Sequence, residues 1–337
     1  MHSRLSRPAL PLILIALAGL ALLVPGSSHT VVPARAEPRV EAAHNDTTTP
    51  FNLVSLPALI EHEYDGRELR LDHVLAQELA FTRYHLIYRS GSLRISGIMN
   101  VPNRPGRFPL LVLAHGYQSP AGYDSGDGLQ REQAYLAASG YVVLQPDYRN
   151  YAGSDRERAV TVRRPLGYPE DLVNAVLAVR RAHLPFVDAS RVGVVGRSMG
   201  GGVALNAVTA KPGLVDAVLL YSPVSSLAAD NFEHWVRGND ALEAKVVAAY
   251  GAPRDAPAFW REASARSYLG RVDVPVQIHH GTADTTCPAE WSEATAETLR
   301  AAGKDVDLFE YPGEHHRFDA AWPTLMRRTV DFFDQHV

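Results

Sequence analysis

The chain has a single cysteine, Cys287, among its 337 residues. That excludes an intrachain disulfide framework and a multi-cysteine metal site. Positive charge is not in excess either. The formal net charge is −4, so there is no basic footprint for nucleic acid. No internal repeat or low-complexity tract is present, which sets aside solenoids and propellers built within this chain. What remains is an ordinary globular composition, 46% hydrophobic and 21% charged, with room for one large α/β domain or two smaller ones.

The N-terminus differs from the rest. Arg4 and Arg7 precede an apolar run from Ala9 to Val24, broken by Pro11 and Gly19, and Ala34-Arg35-Ala36 offers a small-residue cleavage site. The run is short for a membrane span, which needs about 20 apolar residues. Residues 1–36 are therefore predicted to be a signal peptide, placing the chain outside the cytoplasm, secreted or periplasmic. The rival reading is an uncleaved anchor, the one case in which a membrane is a partner. No cysteine lies near the cleavage site, so a lipoprotein anchor is excluded.

Residues 37–80 read as a polar leader followed by short helices, one around Leu53, Leu56, Leu59 and Ile60, another around Leu71, Val74, Leu75 and Leu79. From residue 81 to 337 the pattern is that of one domain. Phe81–Arg89 and Leu93–Met99 form a predicted hairpin around Ser90-Gly91-Ser92. Leu110–Ala114, Tyr141–Leu144, Val192–Val195, Ala217–Tyr221, Val274–His279 and Asp305–Tyr311 read as buried strands. Helices at Gln130–Ser139, Glu170–His183, Ala289–Ala302 and Thr324–His336 alternate with them. This predicts an α/β fold with a doubly wound, mostly parallel sheet and helices on both faces. Residues 224–272 break the alternation with short, aromatic-rich helical segments. They either pack on the sheet or form a small lid over a site.

Chemistry concentrates at Gly196-Arg197-Ser198-Met199-Gly200. A strand, a sharp turn flanked by glycines and a helix are the context of a G-x-S-x-G nucleophile elbow. The serine there has a strained backbone, and its neighbours two positions away must be nearly free of side chain for the turn to close. A serine nucleophile needs a base, and the base an orienting acid, in the chain order Ser, Asp or Glu, His. Asp284 is the first carboxylate after the strand Val274–His279. His315 and His316 follow the strand Asp305–Tyr311. Spacing alone does not choose between those two histidines.

From Leu110 onward the chain resembles the catalytic domain of the prolyl oligopeptidase family of serine peptidases and its dienelactone-hydrolase-like relatives. The resemblance rests on His115-Gly116, Pro146-Asp147-Tyr148-Arg149 with Gly153-Ser154, the elbow, Val274-Pro275 with His280-Gly281-Thr282-Ala283-Asp284, and Tyr311-Pro312-Gly313-Glu314-His315-His316-Arg317-Phe318. It implies an α/β-hydrolase fold and a triad of Ser198, Asp284 and His316. His315 and Arg317 stand where the family usually has glycine. The oxyanion hole is expected from the backbone N–H groups of Met199, which follows the nucleophile, and Tyr117, which follows His-Gly. His115 reads as structural.

No cofactor and no metal are expected. His279-His280 and His315-His316 lack a cysteine or a suitably spaced third histidine, and residues adjacent on a strand face opposite ways. Cys287 is not at an elbow and reads as a packed thiol. The expected substrate is a small-molecule ester or a short peptide. Glu37–Pro109 is too short for the propeller that gates the family's oligopeptidases, so a stand-alone esterase remains the alternative. A non-catalytic binding protein of the same fold is a third reading, opposed by the complete set Ser198, Asp284 and His316.

Overall fold

A computed structural model describes residues 54–157 and 167–337. The predicted signal peptide, the leader and Leu53 lie outside the described residues. Nine strands form one sheet in the order β1-β2-β3-β5-β4-β6-β7-β8-β9. They are β1 (Arg67–Gln77), β2 (Phe81–Ser90), β3 (Leu93–Pro102), β4 (Phe108–Ala114), β5 (Val142–Pro146), β6 (Val187–Arg197), β7 (Ala217–Tyr221), β8 (Val276–Gly281) and β9 (Val306–Tyr311). β1, β2, β3 and β5 pair antiparallel in turn, and from β5 across to β9 the pairings are parallel.

The apolar run Leu110–Leu113 shows why the centre of this sheet is buried on both faces. Leu110 and Val112 join Val192, Val194, Leu220 and Ile278 in one core, covered by the helices Gly167–Ala182 and Met199–Ala210. Leu111 and Leu113 join Val143, Val195 and Leu219 in the other, covered by Gln130–Ala138 and Trp322–His336. The strands alternate sides with period two, so each contributes to both cores. This is the doubly wound α/β-hydrolase arrangement.

Between β7 and β8 the chain leaves the sheet through helices Ala228–Trp235, Asp240–Tyr250 and Pro257–Glu262, then a 3₁₀ segment, Ala265–Arg271. The helices hold a small core of their own around Phe232, Val236, Leu242, Val246 and Trp260. Among the described residues no helix is long and apolar enough to cross a membrane.

One expected element is different. The short helix at Leu56–Ile60 is present, capped by Ser55, but the helix expected around Leu71–Leu79 is the edge strand β1. Its register against β2 shifts between Arg67 and Arg70, Leu71 and His73, and Val74 and Ala76. Each bulge adds a residue and breaks strand alternation, leaving apolar residues at spacings that imitate a helix. Val74, Leu75 and Leu79 are exposed rather than packed on a face. The sheet therefore starts at residue 67, and the expected boundary at 80/81 falls between two of its paired strands.

Candidate active site

The elbow follows from close approach of backbone to backbone. Ser198 ends β6 and starts the helix Met199–Ala210 at φ 56, ψ −125, a conformation costly for any residue but glycine. A Cβ on Gly200 would lie 1.9 Å from the Ala114 carbonyl oxygen, and one on Gly196 would lie 2.5 Å from that of Gly200. Glycine is the only residue that fits at either place. The turn is then pinned on its far side: Ser198 N–H donates to Tyr221 O (3.2 Å) and Val224 N–H donates to Ser198 O (3.1 Å).

The candidate acid sits on the loop after β8. Asp284 has a fully buried side chain, and its Oδ1 accepts from the N–H groups of Thr286 (2.8 Å) and Cys287 (2.9 Å). Its Oδ2 accepts from His316 Nδ1 at 2.8 Å. Burial pushes this carboxyl up, but the hydrogen bonds from His280 and His316 outweigh it and hold Asp284 well below the usual carboxylate range. His315 turns elsewhere: its Nδ1 donates to Ala283 O at 2.9 Å. Of the two adjacent histidines, His316 is the one that meets the acid.

The two loops lock together. Ala283 N–H donates to Glu314 O (2.9 Å) and Thr282 N–H to Tyr311 O (3.0 Å). A Cβ on Gly281 would stand 2.3 Å from Glu314 O. The His-loop and Asp-loop thus meet backbone to backbone, and the register of β8 on β9 sets the distance between acid and base.

Ser198 and His316 line one open cleft of about 690 Å³ with Gly116, Tyr117 and Met199. Met199 is the first helical residue, so its N–H has no partner within the helix. Trp235 and Asn231 of the inserted helices, with Val224, form the facing wall.

Several contributors had no signal of their own in the sequence. His280 is fully buried. Its Nε2 donates to Cys287 O (2.9 Å) and lies 3.2 Å from Asp284 Oδ2, while its Nδ1 accepts from the Ser292 hydroxyl (2.6 Å). It supports the carboxylate from behind His316. The only hint was a histidine four residues before the acid at a strand end. Cys287 serves through its backbone, and burial, with Asp284 nearby, pushes its thiol up, away from nucleophilic chemistry. Arg197 is buried beside Ser198 and lines the cleft, and its Nε has no partner. Trp235 reaches the cleft only because the insertion folds back.

The histidines that resemble metal pairs diverge. His279 bonds Tyr311 and Gln277 on one side of β8, and His280 faces Ser292 and Cys287 on the other. His115 is buried, stacked on Tyr123 and Tyr148, with Nδ1 2.8 Å from Gly116 O. Burial holds its pKa below the ordinary histidine value. The Pro146-Asp147-Tyr148-Arg149 motif acts as a brace. Asp147 accepts from Ser96, Ser125, Tyr123 and the Gly126 N–H, and the Arg149 guanidinium binds Asp171 with both Nε and Nη2.

Comparison with known proteins bears on the family and the fold. The sequence model of the prolyl oligopeptidase family, Peptidase_S9, matches residues 128–337. An uncharacterized peptidase of Bacillus subtilis (strain 168), YuxL, is 26% identical over 246 residues, covering 68% of this chain but 35% of its own length. The chain thus spans about a third of that relative. A second from the same organism, the uncharacterized peptidase YtmA, is 25% identical over 261 residues, covering 73% of this chain and 90% of itself. Among solved structures, acetyl xylan esterase 1 from Thermoanaerobacterium sp. JW/SL YS485 superposes with a TM-score of 0.62 at 21% identity, covering 82% of this chain and 92% of that one.

Proposed function

The chain belongs to the prolyl oligopeptidase family and is a serine hydrolase, and from that premise we propose that Ser198, His316 and Asp284 cleave ester or peptide bonds of small substrates through an acyl-enzyme. The observation that carries this reading is the 2.8 Å bond from His316 to the buried Asp284 carboxylate, in the cleft that Ser198 lines.

In this mechanism the Ser198 hydroxyl turns towards His316 Nε2 to start the reaction. The hydroxyl oxygen attacks the carbonyl carbon as His316 takes its proton. Asp284 accepts from Nδ1–H, fixes the tautomer and stabilises the imidazolium. The backbone N–H groups of Met199 and Tyr117 donate to the oxyanion. His316 then protonates the leaving alcohol or amine, and water releases the acid by the same steps in reverse. His280 helps to hold Asp284 ionised and aimed.

The cleft favours a compact substrate with an apolar group, because Trp235, Val224 and Met199 present apolar surface beside the serine. A short-peptide substrate is supported by the named peptidases among its relatives, and a small ester by the acetyl xylan esterase that it overlays nearly end to end. The deciding measurement labels the folded protein with a fluorophosphonate probe and compares p-nitrophenyl esters with aminoacyl-p-nitroanilides. Labelling of wild type and none of Ser198→Ala is expected. An unlabelled, folded wild type would overturn the assignment.

Arg4, Arg7, the apolar run Ala9–Val24 and Ala34-Arg35-Ala36 support an extracytoplasmic location. N-terminal sequencing of the exported chain should start at Glu37. A start at Met1 in the membrane fraction would favour the anchor instead.

A further inference from the structure

At the opposite edge of the sheet from β8 and β9 lies a second group of chemically active side chains that the hydrolase mechanism does not use. We propose that Asp72, His73 and His85 form a binding site for a divalent transition-metal ion of the zinc type, clipping the edge strand β1 to β2.

The backbone builds the group. His73 and His85 are direct partners in the antiparallel ladder, which brings their side chains to one face within a few ångströms. Their rings stack with centroids 5.0 Å apart. Asp72 should point to the other face by strand alternation. The register shift between Leu71 and His73 breaks that alternation, and Asp72 joins the pair.

The resulting geometry resembles a coordination sphere more than a salt bridge. Both imidazoles present Nδ1 to the same carboxylate oxygen, Asp72 Oδ2, at 3.0 Å from His73 and 3.3 Å from His85. All three candidate ligand atoms lie within 4.8 Å of one another. Ligands at zinc distances in a tetrahedron stand roughly 3.4 Å apart, so two of the three edges are close to that value already. A small closing movement of the two rings supplies the third.

Burial is graded in a useful way. The His85 side chain is 16% exposed, against 57% for His73 and 40% for Asp72. His85 Nδ1 is shut off from solvent without a well-formed hydrogen bond, an arrangement that normally carries a cost. An ion entering from the solvent side, past His73 and Asp72, would satisfy it. Two imidazoles and one carboxylate suit zinc, nickel, copper or iron rather than calcium or magnesium, and water would fill the remaining position.

The benefit would be local. β1 is an edge strand with three register shifts and exposed Val74 and Leu75, features that weaken its hold on the sheet. Bonds from both strands to one ion would join them where the ladder is most irregular.

The test uses the whole chain, stripped with a chelator and titrated with zinc chloride by calorimetry, beside His73→Ala/His85→Ala and Asp72→Asn. Circular dichroism checks that the substitutions leave the fold intact. Wild type is expected to bind one more equivalent of zinc than the double variant, and Asp72→Asn to bind that equivalent more than about tenfold more weakly. Added zinc should raise the thermal midpoint of wild type alone. Equal stoichiometry and affinity in wild type and the double variant would overturn the proposal, as would a wild type that binds no zinc. Either result would leave the three residues as a hydrogen-bonded cluster.

Discussion

The loops at the ends of β6, β8 and β9 and the helices inserted between β7 and β8 face each other across one cleft, yet they are held differently. The strand-end loops touch backbone to backbone, with Gly200 against Ala114 and Gly281 against Glu314, and they rise from strands buried in two shared cores. The inserted helices pack mainly on themselves, around Phe232 and Trp260. They meet the rest of the domain through side chains, among them the Ser226 hydroxyl on Thr295 at 2.8 Å and the His234 ring on Trp291, and through the 3₁₀ segment, whose Ala265 and Leu269 join the main core. In the proposed mechanism, the groups that must keep ångström geometry stand on the continuous sheet, and the wall that would meet the variable part of a substrate stands on a semi-independent unit.

The sharpest way to break this division is chemical. Asp284→Asn keeps the shape of the carboxylate but removes its charge and favours the wrong tautomer of His316. By analogy with other triads it should lower kcat by about 10⁴ with little change in KM. No substitution in the inserted helices should come near that figure. A cap variant with an equal loss of kcat on a small acetyl ester would show that the insertion belongs to the catalytic machinery.

Stability separates the two regions next. A methyl group on Gly200 meets the Ala114 carbonyl oxygen at 1.9 Å, and neither backbone can yield without opening the elbow. Gly200→Ala should therefore cost several kcal/mol, roughly 3 or more, seen as a large drop in the urea midpoint. Gly238, at φ 81 in the insertion, has nothing within 4 Å of its Cβ position. Gly238→Ala should cost only the left-handed backbone penalty, about 1 kcal/mol.

Acid should tell the regions apart as well. His279 on β8 is fully buried between Tyr311, Gln277 and Phe309. Burial, reinforced by the Arg328 cation, lowers its pKa to about 3. The folded value lies below the unfolded one, about 6.5, so the unfolded chain takes up a proton that the folded chain refuses. His279 therefore contributes stability above pH 6.5 that is lost as pH falls from there towards 3, about 2 kcal/mol of it by pH 5. Denaturant titrations between pH 7 and 5 should show this slope, and His279→Leu should flatten it. The insertion holds no buried histidine, its His234 being exposed, and its hydroxyls and amides such as Ser225, Ser264 and Asn231 do not titrate in that range. Hydrogen exchange there should respond less to acid.

Legibility in the sequence follows the same line. The elbow, the parallel strands and the acid at a strand end were readable because each is a local pattern: glycines two residues from a serine, apolar runs, a carboxylate after a strand. Choosing His316 over His315 needed a family resemblance, because the difference is the direction of two side chains on one loop. β1 was misread since its bulges erase the alternation that identifies a strand. His280, Arg197 and Trp235 were missed for a different reason. Their positions in the site come from tertiary contacts, Ser292 behind His280 and the fold of the insertion behind Trp235, which leave no periodic trace.

The most local effects test the insertion itself, through two tryptophans that differ in position. Trp260 is the centre of the local core, edge-on to Phe232 at 5.0 Å and donating through Nε1 to Gly251 O. Trp260→Ala should cost about 3 kcal/mol, felt as faster exchange confined to residues 228–262, with fluorophosphonate labelling of Ser198 retained. Trp235 lies instead on the cleft, with an Nε1 that is buried and unpartnered. Trp235→Ala should cost less stability than Trp260→Ala, since Trp235 is only partly buried against the same core, and lower kcat/KM about tenfold for substrates with a bulky apolar group, while sparing acetyl esters, which are too small to reach it. A uniform loss across both substrate sizes would mean that Trp235 supports the catalytic loops. The cleft would then have one rigid wall continuous with the other, and the contrast between sheet and insertion would fail at the point where it matters for specificity.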